Sequence, residues 1–267
     1  MAMQLLSSNV NLDSFFDNLS KAQERILLLD YDGTLAPFHV ERDKAFPYPG
    51  VTELLDEICQ TQTTQLIIIS GRAIKDLIPL LNLNPLPEIF GSHGWEHLTN
   101  KGKYTLEFSD SHLEKVFAQA KQHIEELGLT GLLEQKPVSL AIHWRGKGTE
   151  TINFIQSQVR RVWEKLESVE NLELHDFDGG LELRVTGKNK GTAVESIISN
   201  LDLRETPMIA YLGDDNTDED AFKFLKDKGL SVLVREYLRP TNADLWIKPP
   251  EELLQFLRKW KMACLDK

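Results

Sequence analysis

Cysteine is scarce in this chain: two among 267 residues, Cys59 and Cys264, each in a helix-like stretch with no second cysteine or histidine at metal-ligand spacing. That argues against a disulfide framework and against a metal site built on thiols, and both residues read as free thiols of a reducing compartment. Long apolar runs are missing too; none approaches the roughly 18 residues that a membrane span needs. The N-terminal stretch MAMQLLSSNVNLDSFFDNL has no basic start, no extended apolar segment and no small-residue cleavage site. No signal peptide is expected, and the expected location is cytoplasmic. Positive charge is in deficit: 30 Lys and Arg against 41 Asp and Glu give a formal net charge of −11. An acidic protein is a poor partner for nucleic acid or an anionic membrane, and neither is expected here. There is no internal repeat, low-complexity tract or long linker.

What remains is 41% hydrophobic and 27% charged residues, the make-up of an ordinary soluble globular protein. At about 100–200 residues per domain, the length allows one large domain or a core with a smaller second one. Ile26-Leu27-Leu28-Leu29 and Leu66-Ile67-Ile68-Ile69 are continuous apolar runs, suited to strands buried on both faces of a parallel sheet. The first ends at Asp30, with Gly33 breaking the chain just after, and the second ends at Ser70-Gly71-Arg72. Val51, Leu54, Leu55 and Ile58 between them keep the i, i+3, i+4, i+7 spacing of a helix, and another helix is predicted over about 73–81. Strand, helix, strand, helix in this order points to a parallel α/β sheet.

The middle of the chain reads differently. Residues 104–108 alternate like a half-exposed strand, and Ser111-His112-Leu113-Glu114 predicts a capping box opening a helix. Val138, Leu140 and Ile142 alternate with Ser139, Ala141 and His143, as an antiparallel strand with one covered face does. A helix with Ile152, Ile155, Val159, Val162 and Leu166 inward follows, then two alternating strands near 172–175 and 181–185. Parallel order resumes with a helix over 191–201, a strand over 208–212 ending at Gly213-Asp214-Asp215, a helix over 218–228, a strand over 231–234 and a closing helix over 251–262. The expectation is an α/β fold with a Rossmann-like parallel-sheet core in two parts, 1–102 and 187–267, and an inserted α+β domain over 103–186.

Three strands of the parallel set end in polar residues, and ligands of open parallel sheets bind outside the carboxyl ends of the strands. In extended geometry Asp30 and Asp32 address the same space. One such carboxylate can ligate a divalent cation and attack phosphorus while the other passes protons. Five of the seven residues from Asp214 to Asp220 are acidic, which suggests a hard cation with oxygen ligands, Mg2+ in preference to Ca2+. A helix N-terminus accounts for Glu219 and Asp220, but not for Asp214, which precedes it. Lys190-Gly191 at a helix start can offer an ammonium and backbone N–H groups to a phosphoryl oxygen. An acidic protein that handles a phosphate ester must create positive charge locally, by a metal ion and a few placed Lys or Arg residues.

Together these stretches resemble the haloacid dehalogenase superfamily of phosphohydrolases: DYDGT at 30–34, the strand end at Ser70, Lys190 before Gly191, and GDD at 213–215. Within it the chain looks like the trehalose-6-phosphate phosphatase family, on SGR at 70–72, GSHG at 91–94, SLAIHWR at 139–145, LELR at 181–184, NKG at 189–191 and GDDNTDEDAF at 213–222. The resemblance implies Asp30 as nucleophile, Asp32 as general acid/base, and Ser70, Gly71 and Lys190 around the phosphoryl group. It implies Mg2+ held by Asp30, Asp214 and the carbonyl of Asp32, supported by Asp215 or Asp218. It assigns the 103–186 segment to a cap domain that selects the substrate. His143, Arg145, Glu182 and Arg184 of that segment would grip sugar hydroxyls, Arg72 would bind substrate too, and His93 and Gly94, also on the substrate side, would lie near the seam between core and cap. A functional link to a glycosyltransferase synthase is implied as well.

Two positions depart from the family pattern. Val185 follows Arg184 where the family usually has proline, and Phe177-Asp178-Gly179-Gly180 stands where a Gly-Lys pair often precedes the glutamate. The sugar therefore stays open among trehalose 6-phosphate, sucrose 6-phosphate and glucosylglycerol phosphate. A phosphomutase would use similar residues and return the phosphate to the sugar. A catalytically idle sugar-phosphate binder would have no need of a nucleophile beside an acid.

Overall fold

The two all-apolar runs pair with each other. In the computed structural model, which describes residues 3–166, 168–177, 179–201 and 207–265, the strands Arg25–Leu29 and Gln65–Ile69 lie side by side and parallel. Around them stand the parallel strands Leu245–Ile247, Leu230–Val234 and Met208–Gly213 on one side and Glu88–Gly91 on the other. The sheet has nine strands. Gln4–Leu5 closes one edge antiparallel to Leu245–Ile247, and Glu96–Leu98 turns back on Glu88–Gly91, followed by Tyr104–Leu106.

Why the central strands are apolar after their first residues, Arg25 and Gln65, is visible in their alternation. Leu27, Leu29, Leu66 and Ile68 face one apolar cluster, filled from the helices Leu12–Lys21, Val51–Gln60, Ile74–Leu81 and Glu251–Leu265. Ile26, Leu28, Ile67 and Ile69 face a second cluster, filled from Lys190–Ser199 and Glu219–Leu225. With helices on both faces, the side chains from Ile26 to Leu29 and from Leu66 to Ile69 are all interior, while Gln65 at the strand start is exposed. The first helix packs on the last through Phe15 against Trp260 and Phe16 against Phe256, at centroid distances of 6.3 and 5.5 Å.

The chain divides into two compact units, Met1–Thr105 with Asn189–Lys267, and Leu106–Lys188. The second unit contains a four-stranded antiparallel sheet in the order Leu133–Lys136, Ser139–His143, Gly180–Val185, Leu172–Phe177. Leu140 and Ile142 pair with Leu183 and Leu181, so these four apolar side chains share one buried face, while Ser139, Ala141 and His143 share the other with Glu182 and Arg184. The helices Ser111–Glu126 and Thr149–Trp163 complete this unit, tied together where the Trp163 indole donates to the Ala120 carbonyl at 3.2 Å.

Local chemistry moves several boundaries from those expected. Asp110, not Ser111, caps the Ser111–Glu126 helix: its Oδ1 accepts from the amides of His112 and Leu113 at 2.9 and 3.1 Å. A carboxylate one residue earlier takes the free amides and also complements the helix dipole. The helix expected from residue 218 begins at Glu219, because the Asp218 side chain turns back to accept from the amides of Asp214 and Asp215. Five short strands, Gln4–Leu5, Glu88–Gly91, Glu96–Leu98, Leu133–Lys136 and Leu245–Ile247, carry too few residues to show a period. Asp178, part of the segment that departs from the family pattern, lies outside the described residues. Among the described residues no helix is long and apolar enough to cross a membrane.

Candidate active site

Asp30 is the residue at which the Arg25–Leu29 strand runs out of sheet. Its amide still bonds the Leu212 carbonyl at 2.9 Å, and its side chain is buried. The chain then folds on itself: the amides of Leu35 and Ala36 both donate to the Tyr31 carbonyl, and the Gly33 amide donates to the Ala36 carbonyl. This tight turn requires glycine twice over. Gly33 has φ +81°, and a Cβ there would stand 2.1 Å from Oδ2 of Asp214. The turn also returns Thr34 so that its hydroxyl donates to Oδ2 of Asp30 at 3.1 Å.

The neighbouring strand Met208–Gly213 delivers Asp214 and Asp215, and the helix Lys190–Ser199 delivers Lys190 as its first residue. Asn189 caps that helix in a reciprocal box with Thr192, which fixes where Lys190 starts. The Lys190 ammonium donates to Oδ1 of Asp30 at 2.6 Å and to Oδ1 of Asp218 at 2.8 Å. Asp218 is wholly buried and fully engaged: it also accepts from the Tyr211 hydroxyl at 2.5 Å and from the two amides of Asp214 and Asp215. Carboxylate oxygens of Asp30, Asp214 and Asp218 lie within 4.8 Å of one another, a donor set that could hold a metal ion.

Charge crowding at this point is severe. Burial, with Asp218 and Asp32 adding to it and Lys190 opposing, pushes the Asp30 carboxyl up to about 7. Burial and then the neighbouring Asp30 and Asp218 push Asp214 well above the usual carboxylate range. Burial also works against the charge of Lys190, but Asp218 and Asp30 outweigh it and hold the ammonium protonated. Three buried carboxyl groups face one buried ammonium, with the partly exposed Arg235 guanidinium 3.9 Å from Oδ2 of Asp214; a hard cation with oxygen ligands would add positive charge here.

The third strand end, Ser70-Gly71-Arg72, is held from the side. Ser70 Oγ accepts from the Arg72 amide at 3.1 Å, the His93 amide donates to the Ser70 carbonyl at 3.0 Å, and the Ser92 amide donates to the Arg72 carbonyl at 2.7 Å. Ser92 and His93 have φ +47° and +58°, two successive side-chain-bearing residues in left-handed backbone. Strain of this kind persists only where the surroundings hold it, and Glu96 does so. Its buried carboxylate accepts from the Ser92 hydroxyl at 2.5 Å, from the Ile74 amide at 3.3 Å and from the Tyr104 hydroxyl at 3.0 Å. The turn lays the His93 imidazole on Gly71, where a Cβ would come within 2.7 Å of the ring, and sets Gly94 against Ala193. Arg72 itself engages Asp32 with two parallel bonds, Nε to Oδ2 and Nη2 to Oδ1, both 2.7 Å.

The first unit therefore gathers Asp30, Lys190 and Asp214 around Asp218. The Asp32 carboxylate is directed to Arg72. The Asp215 carboxylate accepts from the Asn216 amide at 2.7 Å and caps the turn Asn216–Asp218. In the second unit, His143 Nε2 is 2.8 Å from Oε2 of Glu134, and Glu182 accepts from Lys136 at 2.7 Å and Ser139 at 2.6 Å. Arg184 pairs with Glu173 at 2.7 Å, and Arg145 lies against Gly179. Sequence reasoning missed Glu134, Lys136 and Tyr211. Glu134 and Lys136 stand two apart, so both project from the same side of their strand, a signal present in Glu134-Gln135-Lys136 but lost in a strand of four residues. Tyr211 sits in an apolar strand, where only its partner reveals that its hydroxyl has a task.

Comparison with known proteins gives the family and the fold. The family model described as trehalose-phosphatase matches residues 28–246. A probable trehalose-phosphate phosphatase of Arabidopsis thaliana is 28% identical over 264 residues, covering 91% of this chain and 69% of the relative. One from Oryza sativa subsp. japonica is likewise 28% identical, covering 90% and 70%. Among solved structures, the C-terminal domain of the Candida albicans trehalose-6-phosphate phosphatase superposes with a TM-score of 0.79 at 23% identity, covering 98% of this chain and 99% of that one. The C-terminal domain of a Candida albicans trehalose synthase regulatory protein shares the fold, with a TM-score of 0.71 at 14% identity over 91% and 97%.

Proposed function

Because this chain belongs to the trehalose-phosphatase family, whose members are phosphoric monoester hydrolases, we propose that it hydrolyses trehalose 6-phosphate to trehalose and phosphate, with Asp30 as nucleophile and Mg2+ as cofactor. The observation that carries the reading is the buried contact of Lys190 with both Asp30 and Asp218, beside Asp214, at the carboxyl ends of adjacent parallel strands.

The residues fit the ion. Asp30, Asp214 and Asp218 bring buried carboxylate oxygens within 4.8 Å of one another, and although Asp218 is held by Lys190, Tyr211 and two amides, Asp30 and Asp214 remain raised by the crowding. Bound there, Mg2+ would neutralise charge on the phosphoryl oxygens and on Asp30. The chain's own groups do the rest. Thr34 and Lys190 fix the two oxygens of Asp30, which aims the carboxylate at phosphorus. As the Asp30 oxygen bonds phosphorus, the bond from phosphorus to the sugar oxygen breaks, and Asp32 gives that oxygen its proton. In the second half Asp32 takes a proton from water, the water oxygen bonds phosphorus, and the bond to Asp30 breaks. Lys190 holds charge on the transferring group, the kind of contact whose loss costs about 2.7–4 kcal/mol of transition-state stabilisation.

For the sugar we propose His143, Arg145 and Glu182, with Glu134 and Lys136 fixing His143 and Glu182. Arg184 belongs to the same proposal, on the strand face it shares with Glu182 and paired with Glu173. A functional link to a glycosyltransferase synthase belongs to the same proposal, since a glycosyl phosphate substrate has to be made by glycosyl transfer. The test is phosphate release from trehalose 6-phosphate, sucrose 6-phosphate and glucosylglycerol phosphate, with and without Mg2+. Preference for the first and dependence on Mg2+ are expected. Isomerised sugar phosphate without free phosphate, or tight binding without turnover, would overturn the reading.

A further inference from the structure

Arg72 closes two of its nitrogens on a single carboxylate. Its Nε and Nη2 each donate to a different oxygen of Asp32 at 2.7 Å, and its Nη1 donates to the Arg42 carbonyl at 2.8 Å. The Tyr31 ring lies 5.7 Å from the guanidinium carbon. The backbone of Arg72 is fixed at both ends by Ser70 and Ser92. The arginine side chain is 7% exposed and the aspartate 29%, so a buried, braced cation meets a carboxylate open to the solvent side. A planar bidentate pair fixes direction as well as distance, which a lysine point charge does not. Two carboxylates, two residues apart, are thus held by two different cations: Asp30 by the point charge of Lys190, Asp32 by the fork of Arg72.

We propose that Arg72 is a positioning residue for Asp32, aiming it at the leaving sugar oxygen and then at the attacking water, and is not itself a sugar ligand. The inference rests on the function proposed above. In the first half-reaction the proton leaves Asp32 for the bridging oxygen as that oxygen parts from phosphorus. In the second the same carboxylate collects a proton from water. Both transfers depend on reach and angle, and the fork can remain on one oxygen while the other carries the proton. Other side chains leave this task to Arg72: among the described residues it is the one that donates to the Asp32 carboxylate.

The consequence is a dependence on the leaving group. A sugar alkoxide must be protonated as it departs, whereas a nitrophenolate need not be. The experiment compares single-turnover release of trehalose from trehalose 6-phosphate with release of nitrophenolate from p-nitrophenyl phosphate, in Mg2+. The proteins are wild type, Arg72→Met, Arg72→Lys, Asp32→Asn and the Asp32→Asn/Arg72→Met double variant, with thermal melting as the check on folding. General acid catalysis is typically worth 10²–10⁴-fold, so Arg72→Met is expected to slow the sugar ester about tenfold to a hundredfold more than the aryl ester. Arg72→Lys should recover part of the difference. The double variant should be no slower on the sugar ester than Asp32→Asn alone, since the two residues act as one unit. Equal losses on both esters, additive losses in the double variant, or a loss confined to KM and to the identity of the sugar would each overturn the inference. If Arg72→Met does not fold, Arg72→Lys carries the same comparison. An active wild type with any of these outcomes defeats this inference alone, whereas a wild type that cleaves neither ester defeats the proposed function and takes the inference with it.

Discussion

Lys190 and Asp30 are 160 residues apart in the chain and 2.6 Å apart in space, joined beneath the carboxyl ends of two adjacent strands. The same ammonium reaches Asp218 at 2.8 Å, so one cation serves two buried carboxylates while a third, Asp214, stands beside them. With all three ionised, three buried carboxylates would face one buried ammonium, and the partly exposed Arg235, 3.9 Å from Oδ2 of Asp214, adds a solvent-screened charge. Burial and this crowding raise the Asp30 carboxyl to about 7 and Asp214 well above the usual carboxylate range. A divalent cation bound there would relieve the crowding. The raised carboxyls and the proposed Mg2+ site are two views of one electrostatic imbalance.

Removing Lys190 should therefore cost fold as well as rate. Lys190→Met leaves Asp30 and Asp218 buried without their cation, and breaking a buried pair by deleting one partner typically costs about 3–5 kcal/mol. Denaturant unfolding at neutral pH without Mg2+ is expected to show a loss of that order. Steady-state phosphate release with Mg2+ is expected to fall about a hundredfold or more. A variant as stable as wild type would mean that the ammonium is not the counter-charge described here.

The acidic cluster makes a second test that separates its members. A ligand that binds only the folded state stabilises it by about 2.7 kcal/mol at a hundred times its Kd. Saturating Mg2+ should raise the melting temperature of the wild type. Asp214→Asn should abolish that rise, because Asp214 belongs to the donor set. Asp215→Asn should retain most of it, because that carboxylate caps the turn through the Asn216 amide. The reverse pattern would reassign the ligand to Asp215.

How far these features could be read without coordinates depended on the length of the signal. The Ile26–Leu29 and Leu66–Ile69 runs placed two central strands and their polar ends, because burial on both faces leaves only apolar residues to read. Asp30 and Asp214 stood out because carboxylates rarely follow such runs without a purpose. What could not be read was partnership across the chain. Arg72 in SGR looks free to meet a substrate, and only the fold sets its fork on Asp32. Asp215 and Asp218 are equivalent as letters, yet backbone curvature directs one to a turn amide and the other to Lys190. Glu134 and Lys136 were invisible because four residues cannot establish a period.

Gly33 tests how tightly the first aspartate loop is fitted to the second. Gly33→Ala would need φ +81° with a Cβ 2.1 Å from Oδ2 of Asp214, so either the turn or the carboxylate must move. Gly102 has φ +79° with nothing within 4 Å of its Cβ position, which isolates the backbone strain. Gly102→Ala is expected to cost about 1 kcal/mol and leave activity intact. Gly33→Ala should cost more and should also lose the thermal response to Mg2+, because Asp214 is displaced. Equal behaviour of the two variants would show that the glycine serves the turn alone.

All five tyrosines are held in the neutral form beyond their ordinary range, each for a local reason. Tyr31 and Tyr211 are raised by burial and then by Asp32 and Asp218 respectively. Tyr48 is raised by burial and by Asp214, Tyr237 by the hydrogen bond to Glu236, and Tyr104 is pushed up to about 12 by burial and Glu96. The unfolded chain ionises its tyrosines near 10. A group whose folded value lies above its unfolded one contributes stability that is complete below the unfolded value and is lost as pH rises through the folded one. Absorbance at the tyrosinate band should therefore lag behind that of the urea-unfolded chain from about pH 10 upward, and then rise together with loss of helical circular dichroism. Tyr104→Phe should remove one tyrosinate from that late transition, while a native protein whose tyrosines titrate near 10 would contradict the burial and the carboxylate neighbours on which these shifts rest.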